Sequence, residues 1–488
     1  MLRSRVPQAR LGRLATRPIL QAAVRSLYTT RSSPSTTTLQ KATKYTLGAG
    51  VLGALGFWWF STTPDNDEVL VPRLENPLTE RLIFESGPSK EDVTRILTQN
   101  AYRFLVKNVA GVDRYDVTQL VAQSPCEDRF THGQFPSPWN DGNQWMAWGV
   151  FGGHLGWQTA DLLEKQLLPI VRHNLSKAKQ HSGEESLSTE AVHRAIMEAF
   201  MIVDNQIIDA ARDILDNDEL LQDKVKKMLL AYAGSCALLS LYDPITSTLH
   251  VASAGDSRAL LAQKQSDDKW HVLLLSKDHT GFNKDEIERI NKEHPGEVNI
   301  VQNGRVLGVK ASRSFGDARW KLPVLLQNDL TRRFGAPLPA RYNVQTPPYL
   351  TAVPDVMSAK IDPDKPAFLI MASDGLWEHL SSVQAAGLMG KWLDSQQGKP
   401  QDSTEPTYEP FDFGQIWNGV DWKFEKGKAT VQDENAAVHL VRNSLGGNHH
   451  ELLAGRFAFT LPFTRFARDD VTVQVVFFNQ PDLNKKGK

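Results

Sequence analysis

The stretch from residue 367 to 378, AFLIMASDGLWE, limits the fold more than any other. Phe368 to Met371 form a short unbroken apolar run of the kind that makes a buried strand, and Asp374 follows at its mouth. A carboxylate at the edge of a core is poorly solvated and needs a cation or hydrogen-bond donors beside it. Gly375 lets the backbone turn away and leaves room for that partner. Taken alone, Asp-Gly after a strand is an ordinary turn. Here the pattern recurs. The strand-like run 145–151 ends in Gly152-Gly153-His154, the run 249–254 ends in Gly255-Asp256, and the run 471–478 is preceded by Asp469-Asp470. A further acidic pair, Glu127-Asp128, follows Pro125.

Composition narrows what such acids can do. The 488 residues carry a formal net charge of −1, so no bulk charge argues for nucleic acid. Cys126 and Cys236 are the only cysteines, too few for a disulfide framework or a thiolate metal site. Any metal must be held by oxygen or nitrogen. Hard divalent cations such as Mg²⁺ and Mn²⁺ take carboxylate, carbonyl and water oxygens, and two of them about 3.5–4 Å apart can activate water and neutralise an attacked phosphoryl group.

The amino terminus is of different material. No acidic residue precedes Asp65, while Arg3, Arg5, Arg10, Arg13, Arg17, Arg25 and Arg31 are spaced among apolar and small residues. That composition is expected of a mitochondrial transit peptide over residues 1–43. Lys44 and Asp65 then bracket 20 uncharged residues, 45–64. As a helix these would span roughly 30 Å, a bilayer's hydrocarbon layer, with Trp58 and Trp59 at an interface. The alternative is a hydrophobic extension of the leader. An inner-membrane anchor with the catalytic body in the intermembrane space is the orientation that the flanking charges favour. Residues 65–110 are then a linker and N-terminal helix, 111–480 a single body with insertions near 320–346 and 398–431, and 481–488 a tail.

Within the body, helices are expected over 89–106 behind a cap at Ser89, and over 158–174, 184–215, 381–393 and 434–444. A charged helix over 285–293, polar except for Ile287 and Ile290, should be exposed. Residues 320–346 read as an irregular flap.

In combination the motifs are specific. Glu127-Asp128, VFGGH at 150–154, AGDSR at 254–258, SRSFGD at 312–317, ASDGLW at 372–377 and RDDVTV at 468–473 resemble the metal-dependent, type 2C protein serine/threonine phosphatases. Arg305-Val-Leu-Gly and residues 347–354 and 373–378 are similar to the mitochondrial pyruvate dehydrogenase phosphatase branch. The resemblance implies an α+β fold, a four-layer α-β-β-α sandwich of two antiparallel sheets flanked by helices, acting on phosphorylated protein substrates. It also implies a two-metal Mg²⁺ or Mn²⁺ site at the sandwich edge. By position, Asp374 and Asp469 would hold the first metal, and Gly153 would offer its carbonyl to the second. Glu127 and Asp128 would bind that metal's waters, Asp256 and Glu378 would flank a weak third site, and His154 would be the general acid. The family reads Asp-Gly-His where this chain reads Gly152-Gly153-His154, so the carboxylate that would bridge the two metals is missing. A lost outer-shell partner already costs roughly 10–100-fold. The chain is therefore an active phosphatase, an impaired relative that binds phosphoproteins, or an active parent carrying an introduced glycine. Arg129 and Arg114 are the candidates for the phosphate-contacting arginine, which is absent at Gln123.

Overall fold

The computed structural model describes residues 87–182, 187–337, 342–399, 405–417, 422–460, 463–480 and 483. The leader, the candidate span over 45–64 and most of the tail lie outside the described residues. Among the described residues no helix is long and apolar enough to cross a membrane.

The principal strands, in chain order, are β1 (Ala101–Leu105), β2 (Val112–Leu120), β3 (Arg129–Pro136), β4 (Gln144–Phe151), β5 (Ala237–Asp243), β6 (Thr248–Ala254), β7 (Arg258–Lys264), β8 (Trp270–Leu274), β9 (Asp355–Lys360), β10 (Ala367–Ala372) and β11 (Val471–Phe478). They form two antiparallel sheets, ordered β1-β2-β11-β10-β7-β8 and β9-β6-β5-β4-β3. The principal helices are α1 (Lys90–Thr98), α2 (Gln158–Ser182), α3 (Thr189–Asp213), α4 (Leu221–Tyr232), α5 (Lys284–Glu293), α6 (Val324–Phe334), α7 (Ser382–Gln396), α8 (Ala436–Leu445) and α9 (His450–Ala458).

Side chains alternate across each strand, and that alternation builds the layers. Along β4, Met146, Trp148 and Val150 enter the core between the sheets, where they meet Leu369 and Met371 of β10 and Val476 of β11. Trp145, Ala147 and Phe151 face the other way, under α2, α3 and α4. Phe368 and Ile370 of β10 and Val473, Val475 and Phe477 of β11 pack beneath α1, α7, α8 and α9. The result is the four-layer α-β-β-α sandwich that the motifs implied.

Three local expectations are corrected. The helix begun by the Ser89 cap ends at Thr98, and residues 101–105 form the edge strand β1, paired to β2. The Oγ of Ser89 accepts from the Asp92 amide at 3.1 Å, and Asn100, not a further helical turn, bonds back to Gln119. Helix α5 is not exposed all round. Glu286 and Ile290 are buried, because Arg313, Arg289 and Ser312 all bond the Glu286 carboxylate. That engagement outweighs burial and holds the carboxyl down at about 2. The 320–346 segment contains α6, with Leu330 fully buried, so its described part is packed structure and not a loose flap. The short helix α9 carried no sequence signal that was read.

Burial also sets the acid stability. His439 sits under α7 with Nε2 3.1 Å from the Leu388 carbonyl, and His250 stacks on Trp145. Desolvation pushes both imidazoles down to about 4 from 6.5. The unfolded chain therefore takes up protons first. Stability from these groups is complete above about pH 6.5 and is lost as pH falls towards about 4, by on the order of 3 kcal/mol for each. Urea midpoints measured from pH 7 to 4 should fall accordingly, and His439→Gln should flatten the profile.

Candidate functional site

Strand register gathers the acids. Ala372, at the end of β10, pairs with Val473 of β11 on one side and Arg258 of β7 on the other. Asp374, the Asp469-Asp470 pair and Asp256 therefore leave the first sheet side by side. In the second sheet, Arg129 pairs with Phe151 and Ala237 with Ala254, which brings Asp128, Gly152 and His154 to the same edge. There Asp128, Gly152, Gly153, His154, Asp256, Asp374 and Asp469 line one cleft of about 280 Å³.

Two side-chain cations thread this cluster. Lys310 Nζ lies 2.9 Å from Asp374 Oδ2, 2.7 Å from Glu378 Oε1 and 3.4 Å from Asp256 Oδ2. Arg465 lies 3.2 Å from both Glu127 Oε2 and Asp469 Oδ1. The remaining demand for positive charge shows in the carboxyls. Burial, with Asp470 nearby, pushes Asp128 well up, and burial followed by the charge of Asp374 raises Asp256. Burial likewise raises Glu127 and Asp469.

The oxygen donors suit hard divalent cations. Among the described residues, Glu127, Asp256, Asp374, Glu378 and Asp469 form ion pairs only with Lys310 and Arg465, and Asp128 forms none, so negative charge is left over for such ions. As arranged, the acids are spread around the two side-chain cations. Among the described residues, no three His, Cys, Asp or Glu side chains form a ready ligand cluster. Asp470 has a different task. Its carboxylate accepts from the amides of Ala122 at 2.6 Å and Glu127 at 2.9 Å, and so pins the loop that presents Glu127-Asp128.

His154 is held from behind. Its Nε2 is 2.8 Å from Asp317 Oδ2, and Ser314 donates to the same carboxylate oxygen. Burial alone would lower the imidazole, but the charge and hydrogen bond of Asp317 prevail and raise it to about 9. It is therefore protonated at neutral pH. Asp317 is fully buried and has a left-handed backbone (φ 54°), the kind of cost a fold retains at working sites. Gly234 makes the pairing possible, since a Cβ there would fall 2.1 Å from His154 Nε2.

The glycines in the GGH run differ. A Cβ at Gly153 would sit 2.2 Å from the Glu127 carbonyl oxygen, so nothing larger fits. A Cβ at Gly152 would meet nothing nearer than Ser257 Oγ at 3.6 Å and would face Asp128. An aspartate could stand there.

Other sequence candidates fall away from the cleft. Arg114 is buried in a two-pronged bond to Asp116, and Arg129 donates to the carbonyls of Cys126 and Asp128 behind the acidic loop. Arg258 pairs with Asp278 and not with neighbouring Asp256. The sequence reading missed Lys310, Arg465 and Asp317 as site residues. Asp317 closes the SRSFGD motif and Lys310 lies just before it, but only contacts across 64 and 163 residues reveal what they do.

The edge of the sandwich thus collects carboxylates around a part-buried histidine paired to Asp317, a donor set suited to hard divalent cations and acid catalysis. Residues 121–409 match the model of the family Protein phosphatase 2C. A protein phosphatase 2C homolog of Schizosaccharomyces pombe is 40% identical over 387 residues, covering 78% of this chain and 84% of that protein. The chain belongs to the protein phosphatase 2C family. It is also similar to the mitochondrial [pyruvate dehydrogenase [acetyl-transferring]]-phosphatase 1 of Saccharomyces cerevisiae, at 33% identity over 76% of this chain and 70% of that one. The human protein of that name is 29% identical, covering 81% and 85%. The family acts on phosphorylated proteins and is metal-dependent.

Proposed function

We propose that this chain hydrolyses phosphoserine and phosphothreonine on a mitochondrial protein, as a phosphatase of the pyruvate dehydrogenase phosphatase type. The observation that carries the reading is the single cleft in which acids from four distant segments meet His154. Asp374 and Asp469 would hold one Mg²⁺ or Mn²⁺, with the Gly153 carbonyl, Glu127 and Asp128 serving a second. Such ions supply a nucleophilic water at neutral pH and offset phosphoryl charge. His154, fixed through Nε2 by Asp317, would give the proton of its other nitrogen to the departing serine or threonine oxygen. Arg465, half-exposed in the cleft, would offer its guanidinium to the phosphate.

Mitochondrial residence is supported by the arginine-rich amino terminus and by the similarity to mitochondrial phosphatases. Anchoring at the inner membrane rests on residues 45–64 alone. A pyruvate dehydrogenase substrate calls for the matrix, whereas the flanking charges favour the intermembrane space. Protease protection of the body in mitoplasts decides between them.

The missing bridge supplies the test. Hydrolysis of a phosphoserine peptide with Mn²⁺ should rise by at least roughly 10–100-fold in Gly152→Asp, because the side chain has room beside Asp128. Equal activity in both proteins would show that the bridge is dispensable. No activity in either would sink the enzyme reading and leave phosphoprotein binding, to which Gly152 already points.

A further inference from the structure

We propose that Lys310 is a built-in counter-cation that takes the place of a divalent ion at the corner formed by Asp374, Asp256 and Glu378. The inference rests on the divalent-cation reading proposed above. The ammonium lies within 3.4 Å of all three carboxylates. Lys310 is no loose surface lysine, because its backbone is fixed on both sides. Leu307 and Gly308 turn with positive φ, Trp320 Nε1 donates to the Leu307 carbonyl at 3.1 Å, and the Ser312 amide donates to the His279 carbonyl at 2.8 Å.

Charge accounts for why an ammonium belongs there. Lys310 brings one positive charge to a corner where three carboxylates converge, so the ammonium supplies in part the counter-charge that a divalent ion would otherwise bring. A divalent cation seated among all three carboxylates, bound to their oxygens at about 2.0–2.6 Å, would lie against an ammonium 2.7–2.9 Å from two of them, with strong like-charge repulsion. Lys310 and a metal at this corner are therefore alternatives.

The test counts Mn²⁺ bound per full-length chain by equilibrium dialysis at fixed free Mn²⁺, with no turnover involved. Lys310→Met should bind one more Mn²⁺ per chain than the unsubstituted protein, and Lys310→Arg, which keeps the charge, should gain none. If Lys310→Met fails to fold, Lys310→Gln keeps a hydrogen-bonding group without the charge and should show the same gain. The melting temperature of the uncharged variant should also rise more with added Mn²⁺ than that of the unsubstituted chain. Equal Mn²⁺ uptake by all variants would overturn the role of Lys310 while leaving the cation site standing. Absence of uptake in every variant would overturn the cation site itself.

Discussion

His154→Gln lowers turnover of a phosphoserine peptide by roughly 10²–10⁴-fold, the usual contribution of a positioned general acid, while hydrolysis of p-nitrophenyl phosphate stays within a few-fold of the unsubstituted protein. The two substrates differ in the leaving group. A serine alkoxide is strongly basic and must be protonated as it departs, whereas nitrophenolate leaves unaided. The structure makes His154 suited to that step, since the Asp317 carboxylate 2.8 Å away keeps the ring protonated near neutrality. Equal losses on both substrates would mean that His154 only shapes the cleft. Losses on neither would remove it from the chemistry.

The second large effect concerns the support beneath that pair. Lys321 Nζ bonds Asp204 Oδ2 at 2.7 Å and the Ser314 carbonyl at 2.7 Å, and all three groups are buried. Asp204 also accepts from the Gly316 amide at 2.9 Å, so the pair clamps the turn that carries Asp317. Lys321→Met leaves the carboxylate buried without its cation and should cost roughly 3–5 kcal/mol, read from the urea midpoint. Burial already biases Asp204 upward. In the variant the folded state should therefore take up a proton more readily than the unfolded chain, and the loss should shrink as pH falls. Adding Asp204→Leu should recover much of the stability, because an apolar pair needs no counter-charge. A single substitution that changes the midpoint by less than about 1 kcal/mol would contradict the clamp, since an exposed ion pair is worth no more than that.

Where the sequence could be read, it was read from short-range signals. The unbroken apolar runs at 145–151 and 367–372 can be satisfied only inside a sheet covered on both faces, and that is where β4 and β10 lie. Gly153 and the acids at 256, 374 and 469 stand out because each borders an apolar run, and those at 127 and 128 because they form a pair after Pro125. The errors arose where a tertiary contact outweighed a local pattern. Residues 101–105 continue a helical pattern, yet pairing with β2 takes them into the sheet. Glu286 is polar and was expected in solvent, yet Arg313 from 27 residues away draws it inside.

The sequence by itself determined the core strands and the acids at their ends, because apolar runs and turn chemistry act over a few residues. Only the tertiary structure decided which charges meet. Lys310 among three carboxylates, Arg465 between Glu127 and Asp469, and Asp317 behind His154 all join residues far apart in the chain. Coulomb energy depends on separation in space and on burial, and no spacing along the chain records either.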